Sequence, residues 1–141
     1  MTSAGGATRH RHVVLIVEDS DVARESLGLL FQMEDCDVAT APTGLEALHL
    51  MLTLGFRPCV IVTDLIMPKM DGLTFRAEQQ KHPEVAAIPV VALTGHEGLR
   101  RHALDSGFAA ALLKPCDFAE LLDLVDRLCP WRGALRLATP A

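Results

Sequence analysis

Tyrosine is absent from this 141-residue chain, and one tryptophan and five phenylalanines are its only other large aromatics. Half the residues are apolar, enough for a single domain with a substantial core, but that core must be built from Val, Leu, Ile and Ala. Such residues suit β-branched strands covered by Leu/Ala helices. A surplus of positive charge is also lacking: 13 Lys and Arg face 18 Asp and Glu, a formal charge of −5. Direct nucleic-acid binding is therefore not expected, because phosphate contacts need clustered cations. The one basic cluster, Arg9–His12, lies in a Gly/Ala/Ser/Thr-rich arm. No apolar run approaches the ~20 residues of a membrane span, and the arm lacks the apolar stretch of a secretory signal. A cytoplasmic location with no membrane partner is the expectation.

Cysteine is sparse and unpatterned. Cys36, Cys59, Cys116 and Cys129 show no C-x-x-C pair and no repeated spacing. Reduced thiols are expected, rather than a disulfide framework or a zinc site. The histidines include no H-x-x-x-H pair, and His10 and His12 read as members of a solvated arm.

What is present is an alternation of two patterns. Short runs that are apolar at nearly every position occur at Val13–Val17, Cys59–Thr63, Pro89–Leu93 and Ala109–Leu113, with a weaker one at Asp37–Ala41. Runs of that kind suit strands buried on both faces of a parallel sheet. Between them lie helical segments at Asp21–Met33, Leu45–Leu54, Leu73–His82, Gly98–Ser106 and Asp117–Leu128. The first is expected to bury Val22, Leu29, Leu30 and Met33. The second follows Thr43-Gly44-Leu45-Glu46, a capping-box spacing. The last places Phe118, Leu121, Leu122, Val125 and Leu128 in one stripe behind Asp117 as N-cap. Five strands alternating with five helices predict a doubly wound α/β domain over 12–129, between a flexible arm (1–11) and a short tail (130–141) in which Trp131 packs against the domain.

Sites in open parallel sheets form at the carboxyl ends of the strands. The runs here end in Glu18-Asp19, in Asp64, in Thr94 and in Lys114-Pro115. Three carboxylates, a hydroxyl and an ammonium therefore meet at one edge. Clustered carboxylates repel, and a hard cation such as Mg²⁺ relieves that with oxygen ligands while keeping positions for a phosphate. Asp64 is then placed to attack phosphorus and form an acyl phosphate. Lys114 supplies a further positive charge, and Thr94 a hydrogen bond to a phosphoryl oxygen.

From Arg11 to Leu128 the chain resembles the receiver domain of two-component response regulators. The resemblance rests on VVLIVEDS, VTDLIMPKMDG, VVALTG and LLKPC, and above all on the loop Met67–Gly72, in which Pro68 and Gly72 shape the turn after the nucleophile. It implies a flavodoxin-like, five-stranded parallel sheet of order 2-1-3-4-5. It further implies phosphotransfer to Asp64 from a histidine kinase or a phosphotransfer protein, with Mg²⁺ held by Glu18, Asp19, Asp64 and the backbone carbonyl of Ile66. A cis Lys114–Pro115 bond and a downstream protein target belong to the same expectation. So does pairing with a second copy through the face of the fourth helix, fifth strand and fifth helix. One position departs from the family: the aromatic residue usual three places before the lysine is here Ala111.

Plainer readings stand beside these. Asp64 can be an ordinary strand-end aspartate, Glu18 and Asp19 can cap the following helix, Thr94 can bond backbone, and Lys114 can be solvated. Cys116 is expected to be an inert thiol. Two other functions compete with a signalling module that has no enzymatic activity on separate substrates. An aspartate-nucleophile phosphohydrolase commonly has a second Asp two residues after the nucleophile, where Ile66 stands here. A phosphorylation-independent interaction domain would typically have lost some of the acidic pair, Asp64 or Lys114, all of which are present.

Overall fold

A computed structural model describes residues 11–129. Ten elements alternate along the chain: β1 (Val13–Val17), α1 (Asp21–Met33), β2 (Asp37–Ala41), α2 (Gly44–Leu52), β3 (Val60–Asp64), α3 (Gly72–Gln80), β4 (Val90–Thr94), α4 (Glu97–Asp105), β5 (Ala110–Leu113) and α5 (Phe118–Leu128). All strand pairs are parallel, in the order β2-β1-β3-β4-β5. The doubly wound expectation holds, and boundaries move by no more than two residues. The expectations for the arm before Arg11 and for the tail, Trp131 included, lie outside the described residues. Among the described residues, no helix is long and apolar enough to cross a membrane.

Successive side chains on a strand point to opposite faces, so each apolar run feeds two cores. Leu15, Val17, Ile61, Val90 and Ala92 face one layer with Met51, Phe75 and Ala103. Val14, Ile16, Val60, Val62 and Val91 face the other, with Phe31, Leu121 and Val125. Both sides of the sheet are thereby sealed, leaving the strand ends as the place for polar chemistry. Capping follows local sequence: the side chains of Thr43, Asp71 and Asp117 each accept a backbone N–H in the first turn of their helix.

Three expectations are overturned. Val22, Leu29, Leu30 and Met33 are exposed, at 76%, 57%, 40% and 70%. Helix α1 instead buries Gly28 and Phe31. Gly28 faces Val38, Thr40 and Ile16, where a Cβ would make ordinary contacts at 3.7–4.0 Å, while the Phe31 ring meets Phe118 edge-on at 4.9 Å. The helix carries two apolar sides, and the one that docks puts the large Phe31 ring, with Leu27 beside it, into the core of that face. The second correction concerns cysteine. Cys59 and Cys129, 70 residues apart, pair as a disulfide, whereas Cys36 and Cys116 are free. The start of β3 and the end of α5 meet only in the folded chain, so no sequence spacing announces the pair. His12 likewise leaves the solvated arm expected for it: its side chain is only 15% exposed and its Nε2 lies 2.7 Å from Asp126 Oδ1.

Candidate functional site

The carboxyl ends of β1, β3, β4 and β5 carry the residues singled out by their positions in the sequence. Glu18 and Asp19 directly follow β1, Asp64 and Thr94 end β3 and β4, and Lys114 directly follows β5. Carboxylate oxygens of Glu18, Asp19 and Asp64 lie within 4.8 Å of one another. Lys114 Nζ sits 3.3 Å from Asp64 Oδ2 and 3.6 Å from Glu18 Oε1. Glu18 is buried and Asp19 is exposed, so the cluster grades from protein to solvent.

The backbone holds these groups in place. Asp64 Oδ1 accepts the Leu65 N–H at 2.8 Å, which leaves Oδ2 to face Lys114. Gly72 N–H donates to the Leu65 carbonyl at 2.9 Å, drawing the start of α3 over the nucleophile. A Cβ on Gly72 would lie 2.6 Å from the Asp64 carbonyl oxygen, so the loop Met67–Gly72 closes this tightly only with glycine at its end. Lys69 within it adopts φ 70°, the left-handed turn that reverses the chain. Lys114 is tied to β4 through its N–H to the Thr94 carbonyl at 2.8 Å, and the Lys114–Pro115 bond is cis, as expected.

Glu18 is not the cap of α1. Ser20 fills that role, accepting from Ala23 N–H, and its own N–H donates to Glu18 Oε2 at 3.0 Å. Burial pushes the Glu18 carboxyl above its ordinary range. The Ser20 N–H and Lys114 pull it down, and Asp64 and Asp19 push it up again. A buried carboxylate among two others is a site short of positive charge, and its donor set is all oxygen. That set fits a hard divalent ion. Arg24, which no sequence pattern marks, donates from Nη1 to the Glu18 carbonyl at 2.9 Å and so anchors the turn from which the acidic pair projects.

Thr94 is buried, and its hydroxyl oxygen accepts the His96 N–H at 3.2 Å. The plainer backbone-bonding reading of this residue thus describes the structure, with the hydroxyl proton left to donate. Ile66 exposes 56% of its surface beside Asp64. Ala111 is buried in β5, and an open hollow of about 320 Å³ lies between α4, β5 and α5, lined by Arg100, Ala111, Leu113, Pro115 and Glu120 among others. Burial raises the Cys116 thiol pKa, in keeping with an inert cysteine.

Comparison with known proteins matches this arrangement. The sequence model of the response regulator receiver domain family covers residues 14–126. The chain is 36% identical over 118 residues to an uncharacterized 14.6 kDa protein from Leptolyngbya boryana, covering 82% of this chain and 88% of that one. It is 34% identical over 116 residues to the sensor kinase CckA of Brucella abortus, covering 82% of this chain but only 12% of the kinase. Among solved structures, the receiver domain of a sensor histidine kinase from Pseudomonas aeruginosa superposes with a TM-score of 0.76 at 25% identity, over 89% of this chain and all of that one. That structure has a magnesium ion coordinated in its active site cleft.

Proposed function

Because the chain belongs to the response regulator receiver domain family, and so to two-component signalling, we propose that it is a phosphoacceptor switch modified on Asp64. The observation that carries this reading is the pairing of Asp64 Oδ2 with Lys114 Nζ at 3.3 Å inside a triad of carboxylates. A lone carboxylate repels an incoming phosphoryl group. Here the ammonium offsets part of that repulsion, and Glu18, Asp19, Asp64 and the Ile66 carbonyl are the groups that would hold Mg²⁺. When bound, the ion supplies neutralisation of charge on the transferring phosphoryl oxygens.

The chain's own residues do the rest. An Asp64 oxygen attacks the phosphorus of a phosphohistidine on a kinase or phosphotransfer protein. The new O–P bond forms as the P–N bond breaks, and the donor imidazole leaves with the electron pair and takes a proton. Lys114 turns toward the phosphoryl oxygens, and the Thr94 hydroxyl donates to another of them. Thr94 sits between the site and α4, so its movement carries the signal to the α4-β5-α5 face, where a protein target or a second copy of the chain would bind. With Ala111 in β5 where the family usually has an aromatic residue, that transmission runs through the backbone of the Gly95–Leu99 segment, which leads into and begins α4. The exposed apolar row of α1, beginning at Val22 beside the acidic pair, offers the phosphodonor a surface. Ile66 has no proton to give a leaving group, which weighs against phosphohydrolase activity on separate substrates.

The test is intact-mass measurement after incubation with acetyl phosphate and Mg²⁺. One added phosphoryl group is expected, lost in Asp64→Asn and on chelation. Labelling that persists in Asp64→Asn would overturn the assignment.

A further inference from the structure

Far from Asp64, at the amino ends of the strands, three side chains with metal-ligating atoms converge. His12 precedes β1, Cys59 precedes β3, and Cys129 follows α5. A ring nitrogen of His12 and the two sulfurs lie within 4.8 Å of one another. The length of β3 separates this cluster from the phosphorylation edge by roughly 16 Å, at ~3.3 Å per strand residue.

The disulfide alone does not account for the surroundings. His12 Nε2 is engaged by Asp126 Oδ1 at 2.7 Å. With that nitrogen carrying the proton, Nδ1 is a lone-pair acceptor, and it is buried with no hydrogen-bond partner among the described residues. An S–S bridge has no hydrogen to offer it, and an unsatisfied buried acceptor costs stability. A carboxylate on one imidazole nitrogen and a free lone pair on the other is the arrangement of metal-binding histidines, in which the carboxylate fixes the tautomer and orients the ring. Cys59 Sγ also accepts the Val13 N–H at 3.3 Å, a hydrogen bond that favours the thiolate. Cys36, in the same core, has its thiol pushed up to about 11 and is not in the cluster.

We propose that, when Cys59 and Cys129 are reduced, they and His12 Nδ1 bind a thiophilic divalent ion of the zinc class. Two thiolates and an imidazole form a set that Zn²⁺ accepts in tetrahedral geometry, leaving a fourth position for solvent. On binding, two thiol protons go to water and no electron moves. Disulfide formation is the alternative fate of the same sulfurs. Two electrons then pass to a thiol oxidant such as a small disulfide, which takes two protons from water and departs as two thiols, and the ion is released. The site would pin the end of α5 to the starts of β1 and β3 in either state, by metal or by covalent bond.

The full chain, reduced with a phosphine and loaded with excess Zn²⁺, should retain one zinc per chain after free metal is removed. Co²⁺ in its place should give a thiolate-to-cobalt charge-transfer band, which the all-oxygen site at Asp64 cannot produce. The band should survive in Asp64→Asn and Cys116→Ser and vanish in Cys59→Ser. Asp126→Ala should weaken zinc binding roughly 10–100-fold, the usual effect of losing a supporting carboxylate. Should the cysteine variant fail to fold, wild-type protein oxidised with diamide, which takes the two thiol protons and two electrons, should bind no zinc at this site and give no band. Absence of the band in reduced wild type, or a band unchanged by oxidation or by Cys59→Ser, would overturn the proposal.

Discussion

Replacing Gly72 by alanine adds one methyl group and asks whether backbone packing is what sets the nucleophile. The new Cβ would lie 2.6 Å from the Asp64 carbonyl oxygen, 2.8 Å from Leu65 Cδ2 and 2.9 Å from Leu65 Cα. Comfortable separations between such atoms are ~3.5–4.0 Å, and two of the three are backbone atoms that cannot rotate aside. Overpacking of this kind costs ~1–3 kcal/mol. Against it stands the gain from removing glycine at the start of α3, at most ~1 kcal/mol. A net loss of about 1–2 kcal/mol follows, or a Tm lower by roughly 4–8 °C for a domain of this size. The strain is relieved by moving Asp64 and Leu65, and misplacements approaching 1 Å commonly cost on the order of 10²-fold in rate. Phosphorylation by acetyl phosphate should therefore slow by about 10- to 100-fold, read by intact mass at timed intervals. Gly98→Ala is the control, because a Cβ there meets nothing within 4 Å and should stabilise by ~0.4–1 kcal/mol through the unfolded chain. If Gly72→Ala raises Tm as Gly98→Ala does and labels at the wild-type rate, close approach at Gly72 does not position Asp64.

Glu18→Gln should stabilise the metal-free protein at neutral pH. The native carboxyl binds its proton more tightly than the unfolded one, so stability falls as pH rises through the interval from about 4.5 to the raised native value. The penalty persists above that interval and is absent below it. Denaturant unfolding in chelator should show the variant's advantage fading toward acid pH; a variant less stable than wild type at neutral pH would show that Lys114 and Ser20 outweigh burial. Ile66→Asn should hasten loss of phosphate from Asp64. An amide beside the phosphoryl group can orient attacking water where the exposed Ile66 side chain cannot, for a gain on the order of 10-fold, part of the ~10²-fold that positioning supplies. Phosphate decay followed by mass in wild type and Ile66→Asn measures this, and an unchanged rate in Ile66→Asn would show that the side chain at this position does not govern the approach of water.

Much of this architecture is local in origin and so is legible along the chain. A strand buried on both faces is apolar at nearly every position, so Val13–Val17 and the run Cys59–Thr63, one residue ahead of β3 as it forms, declare themselves within five residues. Thr43, Asp71 and Asp117 cap helices by reaching N–H groups two or three residues away. Parallel strands bring their carboxyl ends to one edge, which is why Glu18, Asp19, Asp64, Thr94 and Lys114 can be grouped before any coordinate is known. Three matters are decided only by tertiary packing. Helix α1 has two apolar sides, and the choice of Gly28 and Phe31 over Leu29 and Met33 depends on which side fits the strands beneath. Glu18 is buried while its neighbour Asp19 is exposed, which depends on what packs over the end of β1. His12, Cys59 and Cys129 come together across 117 residues, by the docking of α5 on a sheet whose central strand is β3. Periodicity reports which residues avoid water; it does not report which of two faces a neighbour will cover, or which distant atoms the covering brings within reach.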